Sequence, residues 1–224
     1  MQGEGGVMAD RVYLPLKTIE GHPLVHKFYR QEGDAKGLLV TFPGGNYGMD
    51  GPMLYYPSEL LGAAGWDTLA LTYGFQLSTE PFSTDAISGL LEECRAAVGV
   101  VLEERAYPRL GLIGKSLGAA VVALLCQAEP YLAGARAAYL TPPLGMPFFD
   151  PIFNQTDQPA YLAIGTQDRF YDPQVLESLL AGRPFELTVI KGADHSMDVT
   201  GNLKASLEAV KMVVGEVLEF LQKD

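Results

Sequence analysis

Arg109-Leu110-Gly111-Leu112-Ile113-Gly114-Lys115-Ser116-Leu117-Gly118-Ala119-Ala120-Val121-Val122 is the stretch on which the reading of this 224-residue chain turns. Arg109–Ile113 has the look of a short buried strand, and Leu117–Ala128 reads as an apolar helix. Gly114-Lys115-Ser116-Leu117-Gly118 lies between them with no loop to spare. A strand that turns this sharply into a helix strains the backbone of its turn residue and lifts that side chain above the sheet. The flanking positions then need glycine, because the chains approach too closely for a Cβ. The helix start supplies free N–H groups and a positive dipole beside the serine oxygen. Ser116 is therefore the candidate nucleophile.

Gly114-Lys115-Ser116 also spells the end of a phosphate-binding loop. That loop needs a further glycine where this chain has Arg109, and Leu110 to Ile113 read as strand interior. Without a glycine-rich loop there are no stacked N–H groups to cradle a phosphate. The phosphate-loop reading fails on that ground.

Working outward, short apolar strands and helices alternate. Two β-rich stretches open the chain, Arg11–Ile19 and Pro23–Gln31, joined by a Gly-containing link that suits a hairpin. Gly37–Phe42 reads as a strand buried on both faces, Met53–Ala64 as helix, Trp66–Tyr73 as strand and, after a polar loop, Thr84 to Arg105 as a long helix. Beyond the central stretch, strands are expected at Ala135–Leu140, Ala160–Ile164 and Glu186–Ile190. A helix opens at Asp172-Pro173, with a cap acceptor followed by Pro at the first helical position, and Gly182 closes it. Leu203–Leu221 is a last amphipathic helix. Thr141–Pro159 carries five prolines and is expected to be irregular. The pattern predicts one α/β domain over residues 1–224. Its sheet has about eight strands, mostly parallel, with an antiparallel N-terminal hairpin and helices on both faces.

Composition narrows the partners. With 16 Lys plus Arg against 27 Asp plus Glu, the formal charge is −11. An acidic chain repels phosphate backbones and anionic lipid, which argues against nucleic acid and membrane surfaces. Met1 to Asp10 lacks the basic stretch and apolar core of a signal peptide, and Leu117–Cys126 is too short to span a bilayer; a cytoplasmic protein is expected. Cys94 and Cys126 fall in apolar helical segments and read as small buried hydrophobes. Neither they nor the three histidines have metal-ligand spacing.

A serine hydroxyl needs a neighbouring base. His22 and His26 belong to the amino-terminal hairpin, expected to lie far from the catalytic edge of the sheet. His195 follows the last strand, in a loop able to fold back over the turn at Ser116. The third partner is expected to be a carboxylate after the preceding strand, and Asp168 and Asp172 both qualify by position. Asp172 has a local task as helix cap. Asp168 has none, and its loop belongs on the edge where Ser116 and His195 meet.

Strand, Gly-x-Ser-x-Gly, helix, then Asp, then His resembles the α/β-hydrolase superfamily along essentially the whole chain. It is most similar to small lidless carboxylesterases and dienelactone-hydrolase-like proteins. The resemblance implies a cofactor-free, lidless serine hydrolase acting on a small ester or related acyl compound. It also implies an oxyanion hole from the N–H of Leu117 and of Gly45, in Pro43-Gly44-Gly45-Asn46-Tyr47-Gly48. An acyltransferase or peptidase with the same triad, or a non-catalytic binding protein of this fold, stays open. Three departures stand out: Pro43 where relatives often have His, Lys115 beside the nucleophile, and Ser where dienelactone hydrolases proper use Cys. Tyr47, Lys115, Phe148 and Phe149 are the candidate pocket lining. Phe148, Phe149 and Phe153 either wall an acyl pocket or anchor the proline-rich loop.

Overall fold

The computed structural model describes residues 10–77 and 83–223. Residues 1–9, most of the segment read as lacking a leader, and 78–82, in the polar loop before the long helix, lie outside them.

Eight strands form one sheet: β1 (Asp10–Lys17), β2 (Pro23–Arg30), β3 (Leu38–Phe42), β4 (Asp67–Ala70), β5 (Leu110–Lys115), β6 (Arg136–Leu140), β7 (Ala160–Gly165) and β8 (Glu186–Ile190). Their order is β1-β2-β4-β3-β5-β6-β7-β8. Strand β2 runs antiparallel to both β1 and β4, and every other pairing is parallel. The helices are α1 (Pro52–Ala63), α2 (Ile87–Glu104), α3 (Leu117–Ala128), the single turn α4 (Asp150–Phe153), α5 (Pro173–Gly182) and α6 (Leu203–Gln222).

The central strands are apolar on both faces because both faces are covered. Leu38, Val40, Leu112, Ala137, Tyr139 and Leu162 pack with residues of α2 and α3. Their sequence neighbours Leu39, Ile113, Ala138, Leu140, Tyr161 and Ala163 pack with α1 and α6 on the other face. The period-2 geometry of a strand divides one continuous apolar run between two cores.

Local chemistry sets the helix ends. Asp172 caps α5, its Oδ1 accepting from the N–H of Gln174 at 2.8 Å and of Val175 at 3.2 Å. Asn202 caps α6 by accepting from Ala205 at 3.1 Å. Helix α1 starts without a side-chain cap, with Pro at its first position. Between β6 and β7 the described chain inserts only α4, so no helical lid covers the sheet edge. No helix among the described residues is long and apolar enough to cross a membrane.

Two features correct the sequence reading. Strand β5 runs on to Lys115, because Gly114 and Lys115 pair with Tyr139 and Leu140 of β6. Backbone pairing outweighs the weak strand preference of glycine there. The hairpin tip also lies at the end of the sheet that bears Ser116 and His195, with β4 and β3 between β2 and β5. Since β2 is antiparallel to β4, the 18–22 turn lies at the same sheet edge as the C-terminal ends of the parallel strands. Within that hairpin His22 is exposed, whereas His26 is buried and its Nδ1 accepts the N–H of Thr72 at 3.1 Å.

Candidate active site

Ser116 is the residue between the last pair of β5 and the first turn of α3, with φ 53° and ψ −111°. This left-handed conformation is costly for a side chain that has a Cβ. It persists because both sides are held: the N–H of Ser116 donates to the carbonyl of Leu140 at 2.9 Å, and its carbonyl accepts from Ala119 at 2.9 Å. A Cβ on Gly114 would lie 2.3 Å from the Gly118 oxygen, and one on Gly118 would lie 2.1 Å from the Phe42 oxygen. Only glycine at both positions lets helix, turn and neighbouring strand come together. The serine side chain is left half-buried at the strand ends.

His195 reaches it from the loop after β8. Its Nε2 is 2.9 Å from Ser116 Oγ, and its Nδ1 is 2.8 Å from Asp168 Oδ2. The other carboxylate oxygen of Asp168 accepts the Phe170 N–H at 2.9 Å. The Asp168 side chain is fully buried, whereas that of His195 retains 26% exposure. The carboxylate is thus shielded behind an imidazole that water and substrate can touch. Phe170 presents its ring at a steep angle to the imidazole, centroids 5.5 Å apart.

The two loops are locked to each other. The N–H of Gln167 donates to the Ala193 carbonyl at 2.8 Å, and a Cβ on Gly165 would lie 2.1 Å from that same oxygen. Asp194 pins the histidine loop by accepting from Ser196 at 2.8 Å and from Asp198 at 3.0 Å. Asp172 caps its helix, and no hydrogen bond joins it to His195.

On the other side of Ser116 lies the loop after β3. A Cβ on Gly44 would be 3.5 Å from Ser116 Cβ, so this backbone passes directly beside that serine. The Gly44 N–H is already committed to the Tyr47 carbonyl at 2.9 Å, and its carbonyl accepts from Gln76 Nε2 at 2.8 Å. Gly45 makes no comparable backbone donation among the described residues. Leu117, the first residue of α3, has no intrahelical acceptor for its N–H.

The expected pocket lining needs correction. Lys115 is only 1% exposed, and its Nζ donates to the His195 main-chain carbonyl at 2.9 Å. It lies behind His195, not in a pocket wall. The parity of β5 explains this: Lys115 shares a strand face with Ile113, which faces the α1 and α6 core. Phe149 is fully buried, stacked on Phe153 and edge-on to Tyr139, so it anchors the proline-rich segment. Phe148 is half-buried against the same core. Tyr47 is half-buried, and its hydroxyl accepts the Met53 N–H at the start of α1 at 3.0 Å.

Open space lies elsewhere, and neither Ser116, Asp168, His195 nor the 43–48 loop lines it. A cavity of about 780 Å³ opens between the hairpin tip, the 3-10 turn Gly74–Leu77 and the start of α2. Ile19, Phe75, Leu77 and Leu90 give it apolar walls, and Glu20 and Glu93 contribute carboxylates. Gln76 joins that turn to the Gly44 loop beside Ser116. A glutamine in a polar loop carries no sequence signal, and the cavity arises from antiparallel pairing that no local pattern reveals.

A family model described as an alpha/beta hydrolase domain matches residues 40–222. The chain belongs to the α/β-hydrolase family. Solved structures of this α/β-hydrolase fold agree over nearly the whole chain. An alpha-beta serine hydrolase homologue from Coxiella burnetii superposes with a TM-score of 0.71 at 18% identity, covering 94% of this chain and 98% of that one. A lidless serine hydrolase from Xanthomonas campestris gives 0.69 at 18%, covering 96% and 97%. A dienelactone hydrolase from Anabaena variabilis gives 0.71 at 18%, covering 96% and 100%. No curated protein sequence matches the chain significantly.

Proposed function

We propose that this α/β-hydrolase is a serine esterase that cleaves small carboxylic esters through an acyl-enzyme. The observation that carries this reading is the unbroken line from Ser116 Oγ through the His195 ring to Asp168 Oδ2, with steps of 2.9 and 2.8 Å.

Ser116 Oγ attacks the ester carbonyl carbon as His195 Nε2 takes the hydroxyl proton. The buried Asp168 holds the other ring nitrogen and stabilises the imidazolium. The carbonyl oxygen becomes an oxyanion, held by the N–H groups of Gly45 and Leu117; such preorganised donors are commonly the largest catalytic term. Collapse breaks the bond to the alkoxy oxygen, which leaves as the alcohol with the proton from His195. Water then repeats the cycle on the acyl-serine, releasing the acid and free Ser116. We place the protein in the cytoplasm, where its two buried, unpaired cysteines stay reduced.

A fluorophosphonate probe followed by peptide mass spectrometry tests the assignment. The expected adduct is on Ser116 and is lost in Ser116→Ala. An adduct on another peptide, or none, sinks the reading.

A further inference from the structure

Lys115 is the one element of the Gly-Lys-Ser turn that the proposed chemistry does not use. Its ammonium lies inside the protein, 2.9 Å from the His195 carbonyl and 5.0 Å from the centroid of the Tyr47 ring. Burying a lysine is unfavourable unless the site offers it partners. The partners here come from three loops at the strand ends. Tyr47, from the loop after β3, offers its ring face. From the loop after β7, Asp168 attracts the ammonium and Arg169 opposes it. The loop after β8 adds the His195 carbonyl and the carboxylate of Asp194, while Asp198 faces Tyr47.

We propose that Lys115 is a positioning residue for the triad, tying the His195 backbone to β5 so that the imidazole stays between Ser116 and Asp168. The inference rests on the esterase reading above. Its geometric ground is economy of length. Lys115 is adjacent in sequence to the nucleophile, so its bond to His195 closes a short ring through both triad residues. No other side-chain hydrogen bond among the described residues joins β5 to the histidine loop, apart from the triad contact itself. A 1 Å drift of a catalytic group can cost roughly 100-fold in rate, so a tether at this point controls turnover more than substrate binding.

The charge state adds a signature. Burial pulls the ammonium down to about 8, against the attraction of Asp168 and Asp194. Above that pH the neutral amine loses its ionic hold on the cluster and donates a weaker hydrogen bond. Turnover is therefore expected to fall on the alkaline side while KM stays flat. An arginine at this place keeps its charge throughout.

The test compares wild type, Lys115→Met and Lys115→Arg, using p-nitrophenyl acetate turnover from pH 6 to 9.5 with spontaneous hydrolysis subtracted. Fluorophosphonate labelling of Ser116 is followed in parallel. Lys115→Met is expected to lose roughly 10- to 100-fold in kcat with KM within a factor of about three. It is also expected to lose the alkaline limb. Lys115→Arg is expected to recover much of the rate, again without that limb. Wild-type kcat and an unchanged profile in Lys115→Met overturn the proposal while leaving the labelled Ser116 intact. Failure of wild type to label Ser116 removes the esterase reading itself. If neither variant folds, the wild-type profile decides: a flat kcat through pH 8 to 9 overturns the tether.

Discussion

Gln76 Nε2 donates to the carbonyl of Gly44 at 2.8 Å, and Gln76 Oε1 accepts the N–H of Tyr73 at 3.2 Å. One side chain thus links the segment after β4 to the backbone that passes beside Ser116. The bond holds the peptide plane that leads into Gly45, the proposed oxyanion donor. Gln76→Ala removes it without touching the triad. A hydrogen bond of this kind is worth about 1 to 1.5 kcal/mol, so kcat on p-nitrophenyl acetate should fall about tenfold. Labelling of Ser116 by a fluorophosphonate should slow in parallel. Unchanged kcat would mean that the Gly44–Gly45 loop holds its shape unaided.

The two candidate acids are separable by one atom each. Asp168→Asn replaces the acceptor facing His195 Nδ1 with an amide, which favours the wrong imidazole tautomer. Turnover should drop on the order of 10⁴. Asp172→Asn should leave turnover near wild type, because asparagine caps a helix about as well as aspartate and, among the described residues, the Asp172 side chain bonds only to the N–H groups of Gln174 and Val175. Steady-state rates of both variants decide the matter, and a reversed order would transfer the triad role to Asp172.

What the sequence made legible, and what it hid, follows from the range of each signal. The Gly114–Gly118 turn was readable because two glycines and an apolar run on each side constrain one another locally. The start of α5 was readable for the same reason, since Asp172 and Pro173 act on their own helix. The position of the hairpin tip was not, because it depends on β2 choosing β4 as an antiparallel neighbour across 36 intervening residues, 31–66. Lys115 was visible as a charge beside the nucleophile. Its direction depends on β5 continuing two residues past Ile113, and that in turn depends on pairing with β6. Phe149 looked like a pocket wall because aromatic residues suit both pockets and cores, and only packing against Tyr139 and Phe153 distinguishes them.

His26 provides a stability test independent of activity. Burial lowers it from the ordinary 6.5 to about 4, and its Nε2 has no hydrogen-bond partner. Between those two values the unfolded chain binds a proton that the fold refuses, so stability falls as pH falls from about 6.5 towards 4. His26→Asn keeps an acceptor near Thr72 and removes the titration. The loss of unfolding free energy between pH 7 and pH 5 should be about 2 kcal/mol smaller in this variant. Urea titrations at the two pH values measure it, and equal losses in the two proteins would refute the assignment.

The cavity beside the Gly74–Leu77 turn carries Glu20, Asp85 and Glu93, with His22 as the one basic side chain among its described lining. Like charges repel across such a surface, and the chain as a whole is at −11. Neutral butyrate esters of p-nitrophenol should therefore show a higher kcat/KM than the singly charged succinate ester of similar length. The gap should narrow as salt is raised. A preference for the succinate ester would mean that the field of the acidic chain does not govern substrate capture.

The last expectation concerns chain length, and it comes from what covers the site. Each methylene adds about 0.8 kcal/mol to binding only where water is excluded from it. Between β6 and β7 the described chain supplies the single turn α4, whose Phe153 is turned inward against Tyr139. Without a covering helix, an acyl chain is desolvated over its first few carbons at most. Beyond them it runs out into solvent, where added methylenes contribute nothing. Esters from acetate to hexanoate should thus be cleaved with a higher kcat/KM than dodecanoate or palmitate esters. The comparison needs detergent-free substrate below its aggregation limit, since micelles withhold long chains from any enzyme. A kcat/KM that climbs steadily to palmitate would require an enclosed apolar channel, and the small-ester reading would then fall.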